Sequence, residues 1–338
     1  MVKAHGIHHI TAIAGRPQEN LDFYTRTLGL RLVKKSINQD VPDTYHLFFA
    51  DGEGNPGTDI TFFPWPQMGE GRIGLGVWGE VSFTVPHGSL EYWERRLKAR
   101  EVMVEPIQER FGERVLPFYD GHGMALSLTE SDLAASAAFS PWEKSPVPAD
   151  SQIRSLGSVR LTLGDPQATA NFLNGSLGFE NKQTDGKWQR FVLGEGAGGQ
   201  RVDIRTDPDI GRGGWGVGSV HHVAFRVKGE EDQLQVWQQI REAGGRPTEV
   251  IDRFWFKSVY VREPSGALVE VATDGPGFGV DEASDTLGEK LILPPWYEGQ
   301  RRNIEAALPP LEYDPANLGD DEDLEPAGSA AAAHSDRV

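Results

Sequence analysis

Apolar residues fall along this chain in short runs whose period switches between about two and about 3.6. Residues 7–13 read as an extended segment. Behind Pro17, residues Leu21, Tyr24, Thr25 and Leu28 recur at helical spacing, so 17–28 reads as an amphipathic helix. Its Leu28-Gly29-Leu30 ending puts a glycine at the helix terminus just before a new strand. Extended segments follow near 30–37, 45–50 and 58–63, rich in β-branched and aromatic residues and bounded by Gly, Pro and Asp. The same order returns as a strand at 80–85, a helix near 89–99 and strands near 102–105, 115–119 and 124–129. It recurs over 157–205 and over 219–273.

Each unit is therefore a βαβββ module. Pro17 and Pro166, Phe23 and Phe172, and Leu28 and Leu177 stand 149 positions apart, without a gap, which marks a duplication of half the chain. The pattern predicts an α+β protein of four modules in two halves, 1–131 and 153–275, joined by an Ala-, Ser- and Pro-rich connection at 132–152. Residues 276–338 form an extension that turns acidic and then Ala-rich, and its last ~20 residues are expected to be disordered.

Composition narrows the function classes. The 33 Lys+Arg against 50 Asp+Glu give a net charge of −17, which argues against nucleic acid or an anionic membrane as partner. There is no cysteine, so disulfides, thiolate metal sites and cysteine nucleophiles are excluded together. No run approaches the roughly 18 apolar residues of a membrane span, and the N-terminus lacks a secretory pattern. A cytoplasmic protein is the expectation.

Nine histidines placed at random in a chain of 338 would give about 0.2 adjacent pairs, yet His8-His9 and His221-His222 are both present. Both occupy the first strand of a module. Alternation separates the members of each pair, because strand neighbours point to opposite faces. His222, Ala224 and Arg226 share the side opposite Val223, Phe225 and Val227, and the same register puts His9 and Thr11 on that open side. Glu270 stands between valines in a last strand, where an unpaired carboxylate is costly. Two imidazoles and one carboxylate make the facial set of non-haem Fe(II) oxygenases.

The repeat acts as an internal control. Ser158 stands where His9 does, Glu80 where His222 does, and Thr61, Ser127 and Asp203 where Glu270 does. Two histidines and a carboxylate meet only if the first module faces the fourth. The Gly211–Gly218 stretch leads into a strand rather than a helix, so it reads as a flexible connection rather than a phosphate loop. Arg253 and Tyr260, by themselves, read as surface or packing residues, and Tyr45-His46, His87 and His122 as structural or surface.

The text Gly6-Ile7-His8-His9-Ile10-Thr11, Leu28 to Lys35, Thr44 to Leu47, His221 to Phe225, Tyr260 to Pro264 and Val269 to Ala272 resembles the hydroquinone ring-cleaving dioxygenases. These belong to the vicinal oxygen chelate (glyoxalase/bleomycin-resistance/dioxygenase) superfamily. The resemblance covers residues 5 to about 300, with order and spacing in agreement. It implies two glyoxalase-like barrel or cup domains and an oxidoreductase that inserts O2 into a hydroquinone-type substrate. It also implies Fe(II), with Mn(II) as an alternative ion, held by His9, His222 and Glu270, and pocket roles for His8, Thr11, His221, Arg253 and Tyr260. The implied partners are a small aromatic and O2, with a homo-oligomer left open. Strict alternation sends His8 and His221 to the far face, so a bulge or twist is needed to bring them to the substrate. The rivals are a glyoxalase-like lyase or isomerase, which wants a further carboxylate where Thr61 stands, and a binding protein of the bleomycin-resistance type, which needs no metal.

Overall fold

The computed structural model of the chain describes residues 1–131, 138–196 and 198–319. The acidic and Ala-rich end beyond 319 lies outside the described residues. The first module comprises β1 (Ile7–Ala14), α1 (Pro17–Asp22), β2 (Arg31–Ile37), β3 (Tyr45–Ala50) and β4 (Asp59–Pro64). The second comprises β5 (Val81–Val85), α2 (Leu90–Ala99), β6 (Gln108–Arg110), β7 (Glu113–Tyr119) and β8 (Ala125–Glu130). The third comprises β9 (Ser155–Leu163), α3 (Gln167–Phe172), β10 (Glu180–Asp185), β11 (Trp188–Val192) and β12 (Arg201–Thr206). The fourth comprises β13 (Ser219–Val227), α4 (Glu230–Glu242), β14 (Ile251–Asp252), β15 (Lys257–Arg262) and β16 (Leu268–Thr273). The strand expected at 102–105 is reduced to a bridge of Val104 to Phe118. Pro106 lacks the N–H a longer pairing would use, and the edge passes to β6.

Two curled eight-stranded sheets result. One runs β14-β15-β16-β13-β1-β4-β3-β2 and the other β10-β11-β12-β9-β5-β8-β7-β6. Each takes one module from either half. The halves 1–131 and 153–275 are thus units of sequence, and the units of pairing are the outer and the inner modules. At each centre two first strands lie antiparallel, β1 against β13 and β5 against β9. Each first strand has the last strand of its own module as a parallel neighbour. The larger apolar core holds Val223 and Phe225 beside Val236 and Ile240 of α4, whereas Ala224 belongs to a second cluster on the opposite face. Alternation along β13 is therefore as the sequence predicts beyond its histidines.

That second cluster includes Phe48, Trp255, Phe256, Phe278 and Leu287, so the extension after 275 closes one end of the outer cup. It is held by a buried cation: Lys34 Nζ, with no side-chain exposure, donates to Asp281 Oδ1 at 2.6 Å and to Glu282. Among the described residues no helix is long and apolar enough to cross a membrane.

The glycine-rich stretch expected as a loose connection is paired. Glu70 bridges to Val217, Arg72 to Gly214 and Leu75 to Arg212, so the links into the second and fourth modules form one ribbon. The glycines permit the approach. A Cβ on Gly216 would lie 2.4 Å from the Gly69 carbonyl oxygen, whereas one on Gly214 would meet nothing within 4 Å. Gly216→Ala is expected to destabilise by about 1–3 kcal/mol, as overpacking does, and Gly214→Ala by far less, read from urea midpoints of the two variants. Equal midpoints would show that the close approach does not constrain the ribbon.

Candidate metal centre and aromatic pocket

The two central strands of the outer sheet carry the histidine pairs, and the parallel neighbours β4 and β16 carry Thr61 and Glu270. His9 Nε2 lies 3.3 Å from His222 Nε2, and Glu270 Oε2 lies 2.9 Å from His222 Nε2 and 3.4 Å from His9 Nε2. One ligand atom from each residue falls within 4.8 Å of the others, and all three side chains are buried. Glu270 Oε1 accepts a hydrogen bond from Ser258, but the buried Oε2 makes no well-directed one. Burial pushes the Glu270 carboxyl up, yet His9 and His222 outweigh it and hold it well below the usual carboxylate range. Burial lowers His222. Two imidazole nitrogens and an orphaned carboxylate oxygen converging on one point fit a divalent cation of the borderline class.

The neighbouring histidines support this set from behind. The β1–β13 register slips between Ile7 and His9, and again opposite Thr11 and Ala12, so His8 and His221 are each the extra residue of a bulge. The bulges turn His8 Nδ1 to 2.9 Å from His9 Nδ1 and His221 Nδ1 to 2.8 Å from His222 Nδ1. Each such contact fixes the ring so that its partner's Nε2 points at the centre, as outer partners of metal-binding imidazoles do. His221 continues into the cavity beside the triad, stacked on Trp215 at 4.3 Å. His8 does not reach that cavity; it is buried against Phe256. Burial lowers both rings, His221 to about 3.

The cavity, about 360 Å³, is lined by His9, His222 and a wall of aromatic side chains including Phe48, Trp65, Trp255 and Tyr260. Its size suits a small organic ligand. Tyr260 stands with its ring edge-on to His222 at 5.7 Å. Burial, and then the Glu270 charge, raise its hydroxyl above the ordinary tyrosine value. Arg253 reaches the mouth, forks onto Asp40 at 3.0 and 3.3 Å and lies 5.4 Å from the Tyr260 ring centre. Thr11 stays behind the wall, 2.8 Å from Thr61, which in turn lies 2.8 Å from His46 Nε2. His46 is the residue that the sequence did not single out, because its partner comes from strand pairing rather than spacing. His87 is largely exposed beside Glu130, and His122 lies near Glu19.

The inner cup is spent differently. Glu80 accepts from Arg110 and Ser127, each at 2.6 Å, and Arg190 forks onto Asp203 at 2.8 and 2.9 Å. Glu113 sits between Arg190 and Arg201, and Ser158 is buried where the other cup has His9. Arg190 opposite Asp203 stands where Tyr260 stands opposite Glu270 in the outer cup.

The family model of the Glyoxalase/Bleomycin resistance protein/Dioxygenase superfamily matches residues 6–128 and 155–271. The chain is similar to the Bacillus subtilis (strain 168) protein named "Putative ring-cleaving dioxygenase MhqO", 44% identical over 310 residues that span 92% of this chain and 97% of that one. It is 34% identical over 310 residues to the chlorohydroquinone/hydroquinone 1,2-dioxygenase of Sphingobium indicum, covering 89% of this chain and 95% of the relative. A crystal structure named "putative dioxygenase from Bacillus subtilis subsp. subtilis str. 168" superposes with a TM-score of 0.85 at 43% identity, over 92% of this chain and 99% of that one.

Proposed function

Since the chain belongs to the glyoxalase/bleomycin resistance protein/dioxygenase superfamily, we propose that it is a ring-cleaving dioxygenase that inserts O2 into hydroquinone-type aromatics at a non-haem Fe(II) centre. The observation that carries this reading is the convergence of His9, His222 and Glu270 at the floor of an aromatic cavity. These three would hold the ion. Iron(II), when bound, supplies the electron transfer between ring and O2. Three protein ligands leave coordination room for substrate and oxygen.

The protein's own groups do the rest. The aromatic wall excludes water and flattens a ring substrate against Trp255 and Phe256. His221 Nδ1 accepts from the Nδ1–H of His222, so the proton of its neutral ring sits on the other nitrogen, which donates a hydrogen bond to the substrate's phenolic oxygen. Arg253 and Tyr260 orient the phenolate and stabilise its charge. His8 holds the His9 ring, and Thr11 anchors Thr61. A glyoxalase-like lyase or isomerase wants a further carboxylate, and that position holds Thr61, already bonded on both sides.

Protein reconstituted anaerobically with Fe(II), and separately with Mn(II), should consume one O2 per hydroquinone or methylhydroquinone in an oxygen electrode. Absence of uptake with either substrate and either ion would overturn the reading.

A further inference from the structure

The outer cup is a pseudo-twofold pair. Phe48 pairs with Thr61 in the first module, and Tyr260 pairs with Glu270 in the fourth. Phe48 therefore answers Tyr260, and two residues earlier His46 answers Ser258. Ser258 donates to Glu270, whereas His46 Nε2 lies 2.8 Å from the Thr61 hydroxyl. Where the fourth module supports a metal ligand, the first ends a neutral relay, Thr11–Thr61–His46, in an imidazole on the cavity wall.

That imidazole is built in. Its ring centre lies 3.8 Å from Phe48 and 4.5 Å from Phe63. Its Nδ1 has no hydrogen bond and is not sealed from the cavity among the described residues. Burial, with His9 and His222 nearby, holds the ring neutral. Arg253, Tyr260 and His221, the other polar groups beside the triad, are already assigned to the first oxygen of the substrate. An aromatic diol with one oxygen at the triad carries a second hydroxyl on the far side of its ring, and that group needs a partner.

We propose that His46 is the specificity-determining residue for this second hydroxyl, which hydrogen-bonds to its Nδ1. The inference rests on the aromatic-substrate reading above. A hydroxyl both donates and accepts, so either ring tautomer serves.

The test compares binding of hydroquinone and of 4-methylphenol, whose methyl group stands where the second hydroxyl would be. Binding is read anaerobically by quenching of tryptophan fluorescence, in wild type, His46→Phe, His46→Gln and Thr61→Val. One hydrogen bond corresponds to about tenfold in affinity, so the hydroquinone-to-methylphenol ratio should fall about tenfold in His46→Phe. It should be largely retained in His46→Gln and fall about threefold in Thr61→Val, which releases the ring without altering the wall. Should His46→Phe not fold, Thr61→Val carries the same comparison. A ratio unchanged within twofold in the folded variants would overturn the assignment. If iron-loaded wild type consumes oxygen with hydroquinone while the ratio stays fixed, the His46 assignment alone fails. If neither the iron- nor the manganese-loaded protein consumes any, the ring-cleavage reading fails.

Discussion

Glu270→Gln should give a folded protein that holds little iron and turns over at less than about a thousandth of the wild-type rate. Loss of an outer partner already costs about 10–100-fold in metal affinity, and this change strikes the carboxylate itself. Gln keeps the shape and the bond from Ser258 but removes the charge that His9 and His222 keep ionised. The melting temperature separates the two roles open to a buried carboxylate. A structural ion pair broken on one side destabilises strongly, whereas a metal ligand without its metal loses little. Iron content by elemental analysis, turnover and a thermal melt are measured on the same preparation. Full iron occupancy with normal turnover would remove Glu270 from the centre, and a large drop in melting temperature of the metal-free protein would make it structural.

Tyr260→Phe should slow hydroquinone turnover by about 100-fold, the usual scale for a positioned acid–base or electrostatic group, and slow catechol turnover less. The substitution is structurally mild, because Phe48 already occupies the matching register in the first module. A catechol chelates through two adjacent oxygens and so brings its own orientation. A hydroquinone has one oxygen within reach of the centre and depends on Tyr260, beside Arg253, for the rest. Oxygen uptake by iron-loaded wild type and variant with hydroquinone, methylhydroquinone and catechol reads this directly. Faster wild-type turnover of catechol than of either hydroquinone would overturn the substrate preference while leaving ring cleavage intact.

Much of the fold and the centre was legible in the sequence because both are written in local periodicity. The βαβββ order comes from alternation and helical spacing. The pairing of first and fourth modules follows from asking which combination collects two histidines and a carboxylate, and the sheet order agrees. The bulges were less legible. An extra residue in one strand leaves its own alternation looking normal and appears only in the register against its partner, so the sequence leaves His8 and His221 on the wrong face. His46 was hidden for a related reason, since Thr61 meets it across β3 and β4 rather than along the chain. Only the distant Asp281 and Glu282 account for the burial of Lys34, and nothing in its own segment announces them. The glycine ribbon reads as loose because nothing in one segment announces the second that zips to it.

The order of modules in the outer sheet also bears on synthesis. β5 and β9 of the inner sheet are separated by 69 residues, against 204 between β1 and β13, so closing the inner pair costs less entropy. The inner cup can thus be completed while the fourth module is still being made. The proposed ligand set, in contrast, is divided between β1 and the late strands β13 and β16. His9 and His222 are separated by 213 positions, and Glu270 comes later still. A ribosome-bound chain interrupted between His9 and Glu270 carries one or two of the three residues and no finished centre. Metal loading at the proposed centre therefore belongs after synthesis of β16, which spares the nascent chain from exposing a half-coordinated ion.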